Sequence, residues 1–178
     1  MIQLKNIFAI IGSASKSSAN LKLVEKIAAM TRDDLQITIF NELATLPHFS
    51  PELSIAETPW PIINFRRSIE VADGILICTP EYIFSIPSGL KNALEWCVST
   101  TIFTDKKSGL ITASAHGAKG HEELKLIMQT LGANIEEQTT LLIQGIKGKF
   151  DEHDHLTDPK TNRDLENFVK SFRSLLEK

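Results

Sequence analysis

The chain has 178 residues, 19 basic and 22 acidic side chains and a formal net charge of −3. That length suits one domain with a full core, residues 1–178, and the near-balance of charge argues against a nucleic-acid surface and against the strongly acidic face of a dedicated electron carrier. Two cysteines, Cys78 and Cys97, are too few for a disulfide framework and lack metal-ligand spacing, which fits a reducing cytoplasm. The opening MIQLKNIFAIIG has a short apolar run without the layout of a signal peptide. No apolar stretch approaches the roughly 20 residues a membrane span needs.

Residues 7–11 form a continuous apolar run, the pattern of a strand covered on both faces. Ser17 or Ser18 caps the helix that follows, with Leu21, Val24, Ile27 and Ala28 sharing one face. Residues 35–40 read as a second strand. Pro47, Pro51, Pro59 and Pro61 then punctuate a long connection that reads as a surface loop. Ile62, Phe65, Ile69 and Ala72 make the next helix amphipathic; residues 74–78 are a buried strand, and residues 89–98 the helix behind it. Residues 110–113 belong to a fourth strand. Leu124, Ile127, Met128 and Leu131 face the core from another helix, with Gly132 as its stop. Ile135 and residues 141–143 bracket a fifth strand, residues 145–161 read as a polar surface excursion, and Leu165 to Leu176 carry the apolar stripe of a last helix. Alternating strands and helices with right-handed crossovers give an α/β three-layer sandwich around a five-stranded parallel sheet.

Two loops at the same edge of that sheet carry the chemistry, because ligands of open α/β sheets bind at the carboxyl ends of the strands. The first, GSASKSSAN, lies at the mouth of a helix, whose free N–H groups and positive dipole end attract an anion. The hydroxyls of Ser13, Ser15, Ser17 and Ser18 and the Asn20 amide add donors. Neither the glycine spacing of a triphosphate loop nor that of a dinucleotide loop is present, so a terminal monophosphate such as that of FMN is the better fit. The plainer alternative is that these residues cap a helix and fill a turn. The second loop, TPEYIFSIPSG, is stiffened by Pro80 and Pro87 and holds the only tyrosine, Tyr82, with Phe84 two positions on. It suits a planar heteroaromatic ring; its plainer reading is a proline-rich turn whose aromatics cover the sheet end.

The chain resembles the NADPH-dependent FMN reductase family, flavodoxin-like proteins that include quinone, azo and chromate reductases. Gly12, Ser13, Ser18 and Asn20 match the family's first loop, and Pro80, Glu81, Tyr82, Ser85, Pro87, Leu90, Lys91, Asn92, Ala93 and Trp96 match its second motif, with Glu95 keeping an acid. The segment KFDEHDHLTD is similar to the family's stretch after the last strand. The resemblance implies an FMN-dependent NAD(P)H oxidoreductase: hydride passes from nicotinamide to bound FMN and then to a quinone, azo, metal-oxyanion or flavin acceptor. It also implies a homodimer or homotetramer with Glu81, Tyr82 and that segment at the interface. The cofactor-binding residues it points to are Gly12, Ser13, Ser15, Lys16, Ser18, Ala19 and Asn20 in the first loop. Pro80, Glu81, Tyr82, Ile83 and Ser85 follow in the second, and Ser114, His116 and Gly117 in the third. No catalytic acid or base and no metal ligand is nominated, since the flavin carries the chemistry.

The chain departs from the family at Ser15, where arginine is usual, at Ile83, where asparagine is usual, and at Ser88 and His121, where glycines are common. Losing the arginine fork predicts loosely held FMN, weakened roughly 10- to 100-fold, with Lys16 compensating in part as a point charge. A flavodoxin-type electron carrier and a flavin-defective binding module of the same fold are the two other readings. His121 reads as a first-turn surface residue. His153 and His155, among Asp151, Glu152 and Asp154, read as a solvated loop rather than a metal site. Cys78 and Cys97 read as core packing.

Overall fold

The computed structural model describes residues 4–15 and 17–178. Five strands, β1 (Lys5–Ile11), β2 (Leu35–Phe40), β3 (Gly74–Thr79), β4 (Lys107–Ser114) and β5 (Thr140–Gln144), form an all-parallel sheet in the order β2-β1-β3-β4-β5. Six α-helices connect or follow them: α1 (Ala19–Thr31), α2 (Pro51–Ile55), α3 (Trp60–Val71), α4 (Ser88–Glu95), α5 (Ala118–Thr130) and α6 (Pro159–Glu177). The expected α/β three-layer, flavodoxin-like sandwich is therefore the architecture observed.

The central strands explain their own sequences. Every residue of β3 is buried, because helices cover both faces of a parallel sheet. Alternate side chains serve opposite cores. Phe8, Ile10, Ile75, Ile77 and Leu110 point toward α3, α4 and α5. Ile7, Ala9, Ile11, Leu76, Cys78 and Ile111 point toward α1 and α6. The chain leaves β1 toward β2 on one side and returns to β3 on the other. That reversal opens a crevice at the carboxyl ends of β1 and β3, where the loops after the two strands diverge.

Several local expectations are corrected. The buried stripe of α1 is Asn20, Leu23, Val24, Ile27 and Thr31; Leu21 and Ala28 are only half-buried. The connection after β2 is not a plain loop. It holds a 3-10 turn, Leu43–Thr45, and then α2, where Ser50 accepts from Leu53 N–H at 3.3 Å and Pro51 opens the helix. The connection is also tied down from outside. The Pro47 carbonyl accepts from Asn92 Nδ2 at 2.9 Å and Trp96 Nε1 at 2.8 Å, while Asn92 Oδ1 accepts from Phe49 N–H at 2.8 Å. The Arg66 guanidinium binds the Trp96 and Ser54 carbonyls and the Ser54 and Ser99 hydroxyls, joining α2 and α3 to the end of α4. Residues 145–161 also contain structure: a 3-10 turn, Ile146–Lys149, and the start of α6, capped by Asp158 accepting from Thr161 N–H at 2.8 Å.

Candidate active site

The site grows from three strand ends. At the end of β1, Gly12 N–H donates to the Cys78 carbonyl at 2.8 Å. A Cβ on Gly12 would lie 2.2 Å from Thr79 Oγ1, so only glycine lets β1 run on against β3 before the chain turns away. In the loop beyond, Ser13 Oγ accepts from Ser15 N–H at 3.2 Å and Ser15 Oγ donates to the Ser17 carbonyl at 3.1 Å. Ser18 is the cap of α1, its Oγ accepting from Leu21 N–H at 3.2 Å. Asn20 is buried: Nδ2 donates to the Ala113 carbonyl at 3.3 Å, and Oδ1 accepts from Cys78 Sγ at 3.4 Å. One Asn20 donor thus locks α1 to β4. Lys16 lies outside the described residues.

The second loop meets the first directly, with Tyr82 Oη 3.4 Å from Ser13 Oγ. Tyr82 and Ser85 exchange both backbone hydrogen bonds, at 2.9 and 3.1 Å. The two residues between them, Ile83 (φ 51°) and Phe84 (φ 58°), are both left-handed. This is a tight turn whose usual occupants are Asn and Gly; a β-branched residue there is strained. Both side chains point outward, Ile83 95% and Phe84 73% exposed. Ser85 Oγ and Ile86 N–H donate to the Glu123 carboxylate at 2.7 and 2.9 Å. Burial works to raise the Glu123 pKa, but those bonds and nearby Lys91 outweigh it and hold the carboxyl below its ordinary value.

Glu81 turns away from the cavity. Its carboxylate accepts from Gly117 N–H at 3.2 Å and Gly120 N–H at 2.8 Å, filling the open amino end of α5 with a negative charge. Ser114 Oγ donates to the Glu81 carbonyl at 3.3 Å, so the second and third loops brace each other. His116 is exposed and stands off the cavity wall, while Gly117 is buried as the cap residue of α5. His121 lies in the first turn of α5 but is half-buried: its Nδ1 lies 3.0 Å from Thr112 Oγ1, and burial, aided by Lys125, pushes its pKa down.

These loops enclose a cavity of about 690 Å³, within the range of roughly 300–1,000 Å³ for small-molecule and cofactor sites. Ser13, Ser15, Ser17, Ser18, Ala19 and Asn20 form one wall; Pro80 and Tyr82 form a second; Ala113, Ser114 and Ala115 form a third. Gly145, Ile146, Lys147 and Gly148 complete it from the end of β5. Of the nominated residues, Gly12, Glu81, Ile83, Ser85, His116 and Gly117 are not among the wall residues; Gly12, Glu81, Ser85 and Gly117 set the backbone behind it, while Ile83 and His116 are exposed outside it. The β5 segment was missed because its polar composition resembles a solvent loop. Its signal was positional: it follows a strand whose end reaches the same sheet edge. Gly145 (φ 65°) and Gly148 have no atom within 4 Å of where a Cβ would stand, which keeps this side of the cavity open.

Both cysteines are free and buried. Burial raises the Cys78 thiol far above its ordinary value and pushes Cys97 up to about 12. The acidic–histidine segment is organised by Asp151, whose Oδ1 accepts from the N–H groups of His153 and His155 at 2.9 and 2.8 Å. Among the described residues no helix is long and apolar enough to cross a membrane.

Known proteins align with this chain over nearly its whole length. The profile of the NADPH-dependent FMN reductase family matches residues 5–146. An NADH-dependent flavin reductase subunit 2 of Lactobacillus johnsonii is 30% identical, over 92% of this chain and 95% of its own length. An NAD(P)H:quinone oxidoreductase of Solanum tuberosum is 26% identical, over 92% and 89% respectively. The structure of FerB, a flavoenzyme NAD(P)H:acceptor oxidoreductase from Paracoccus denitrificans, superposes with a TM-score of 0.82 at 26% identity and covers 98% of each chain. With its strand order, its serine-rich first loop and its aromatic second loop, the chain belongs to the NADPH-dependent FMN reductase family and is an FMN-dependent NAD(P)H oxidoreductase.

Proposed function

We propose that the 690 Å³ cavity holds FMN with its phosphate toward the first loop and its ring toward Pro80, Tyr82 and the third loop, and that small quinones or free flavins are the electron acceptors. The observation that carries this reading is the meeting of a hydroxyl-rich loop at the amino end of α1 with a tyrosine platform, joined by the Ser13–Tyr82 contact of 3.4 Å. The walls suit the cofactor. Ser15 and Ser17 are exposed at the loop, where hydroxyls and free backbone N–H groups favour a phosphate. The glycines at 145 and 148 leave room on the opposite side. Ser18 caps α1 and Asn20 fixes α1 against β4, which together hold the loop in place.

Bound FMN supplies the two-electron chemistry. The residues of this chain bind, orient and exclude water. Tyr82 and Ile146 present apolar surface; Ser114, braced by Glu81, fixes the third loop's backbone. No side chain is assigned as acid or base. The acceptor class rests on the quinone and flavin reductases among the relatives. We further propose that the protein acts in the cytoplasm as a homo-oligomer. The adjoining exposed side chains of Ile83 and Phe84 support a contact between copies; Glu81, engaged at α5, serves it only indirectly.

The test is a visible spectrum of the protein with added FMN, followed anaerobically while NADPH and then NADH are titrated in. A bound flavin band that bleaches with nicotinamide and recovers on adding a benzoquinone is the expected result. Bound flavin that does not bleach would refute the reductase reading, and absence of bound flavin would refute the assignment of the cavity.

A further inference from the structure

Lys147 is the only charged side chain among the described residues that line the cavity. Its neighbours in the same segment are committed elsewhere: Lys149 pairs with Asp158 at 3.1 Å, and Asp154 pairs with Lys22 on α1. Among the described residues Lys147 makes no ion pair. The turn that carries it is fixed at its base. Gly145 N–H donates to the Ala115 carbonyl at 3.1 Å, and Asn20 from α1 donates to Ala113 on the same strand end. The segment from 145 to 148 therefore lines the same cavity as the serine loop that leads into α1. That loop has Ser15 where the family usually supplies a guanidinium. A doubly charged phosphate is held more tightly where a counter-charge stands by, and the other described walls of this cavity are neutral.

We propose that Lys147 supplies such a charge from the β5 side of the cavity, and so helps this chain distinguish a phosphorylated flavin from an unphosphorylated one. The inference rests on the cavity being the FMN site. A lysine in this role is a flexible point charge rather than a fork, so it contributes attraction without fixing the phosphate's orientation. Orientation falls to the hydroxyls and to the amino end of α1.

The experiment is equilibrium titration by flavin fluorescence of the wild type, Lys147→Met and Lys147→Arg, each with FMN and with riboflavin, at low and high sodium chloride. Methionine keeps the apolar stem and removes the charge. The expected result is FMN affinity about ten-fold weaker in Lys147→Met, riboflavin affinity unchanged, FMN discrimination kept in Lys147→Arg, and a salt dependence of FMN binding that is reduced in Lys147→Met. Unchanged FMN affinity in Lys147→Met, with the wild type still preferring FMN to riboflavin, would overturn the proposal and leave the flavin site standing. Equal weakening toward both flavins would also overturn it, because Lys147 would then act on the ring or the fold. A wild type that binds neither flavin would overturn the cavity assignment itself, and the proposal with it.

Discussion

Glu81 belongs to the motif by which the chain resembles flavin reductases, yet its carboxylate binds protein. Replacing it with alanine leaves the N–H groups of Gly117 and Gly120 without their acceptor, bonds of 3.2 and 2.8 Å. A hydrogen bond to a charged group contributes about 1.5–3 kcal/mol, and loss of a helix cap about 0.5–2 kcal/mol. The site is half-buried, so water recovers part of the loss, and the net cost should be about 2 kcal/mol. For a chain of this size each kcal/mol moves the melting temperature by about 2–4 °C, so Glu81→Ala should melt about 4–8 °C below the wild type. Glu81→Gln keeps one acceptor oxygen and should fall about halfway. Differential scanning calorimetry without added flavin reads the cap alone; FMN titration reads the site. A melting point within 1 °C of the wild type, together with FMN affinity weakened ten-fold, would refute the argument and make Glu81 a ligand.

For the proposed homo-oligomer, Phe84→Asp places a charge at the exposed tip and should shift the mass in light scattering toward that of a monomer; a wild type already monomeric would refute the oligomer, and an unchanged oligomeric mass would place the contact elsewhere. Asp158 is held down to about 2 by the Thr161 hydroxyl and N–H and by Lys149. Because its folded pKa lies below its unfolded value of about 3.9, its stabilising effect is complete above that value and disappears as pH falls toward 2. The stability difference between wild type and Asp158→Asn should therefore be constant at neutral pH and shrink across that acid window; a difference that grew with acid would contradict the capping role. Cys78 and Cys97, buried with raised pKa values, should react with a thiol reagent only on unfolding. Fast labelling of the native protein would contradict their placement in the core.

The sheet was legible because parallel strands covered on both faces leave uninterrupted apolar runs, as in β1 and β3. The stripe of α6 is legible for the opposite reason: only one side faces the core, and its apolar residues recur at helical spacing against a polar outer side. The connection after β2 was misread because its order comes from distant partners. Prolines there read as loop, whereas Asn92, Trp96 and Arg66 hold it from α4 and α3. His121 was misread because its partner, Thr112, lies on a strand nine residues away. The β5 turn was missed because polarity alone does not separate a solvent loop from a cavity wall; only the shared sheet edge does.

The family motif in the second loop separates in space into two tasks. Among its residues Pro80 and Tyr82 reach the cavity wall. The others build the frame behind it: Glu81 caps α5, Ser85 binds Glu123, Lys91 stands 3.6 Å from the same carboxylate, and Asn92 and Trp96 bind the Pro47 carbonyl. A cofactor ring is held by backbone edges and flat surfaces, which many side chains can provide once the loop is fixed. Fixing it takes particular donors and acceptors at particular distances. The resemblance therefore covers both the frame and much of the wall, where Ser13, Ser18, Asn20, Pro80 and Tyr82 all keep the family's residues. Serine at position 15 is the one departure among the described wall residues, and the lysine at position 147, on the β5 side of the same cavity, is where a compensating charge can enter without disturbing the frame.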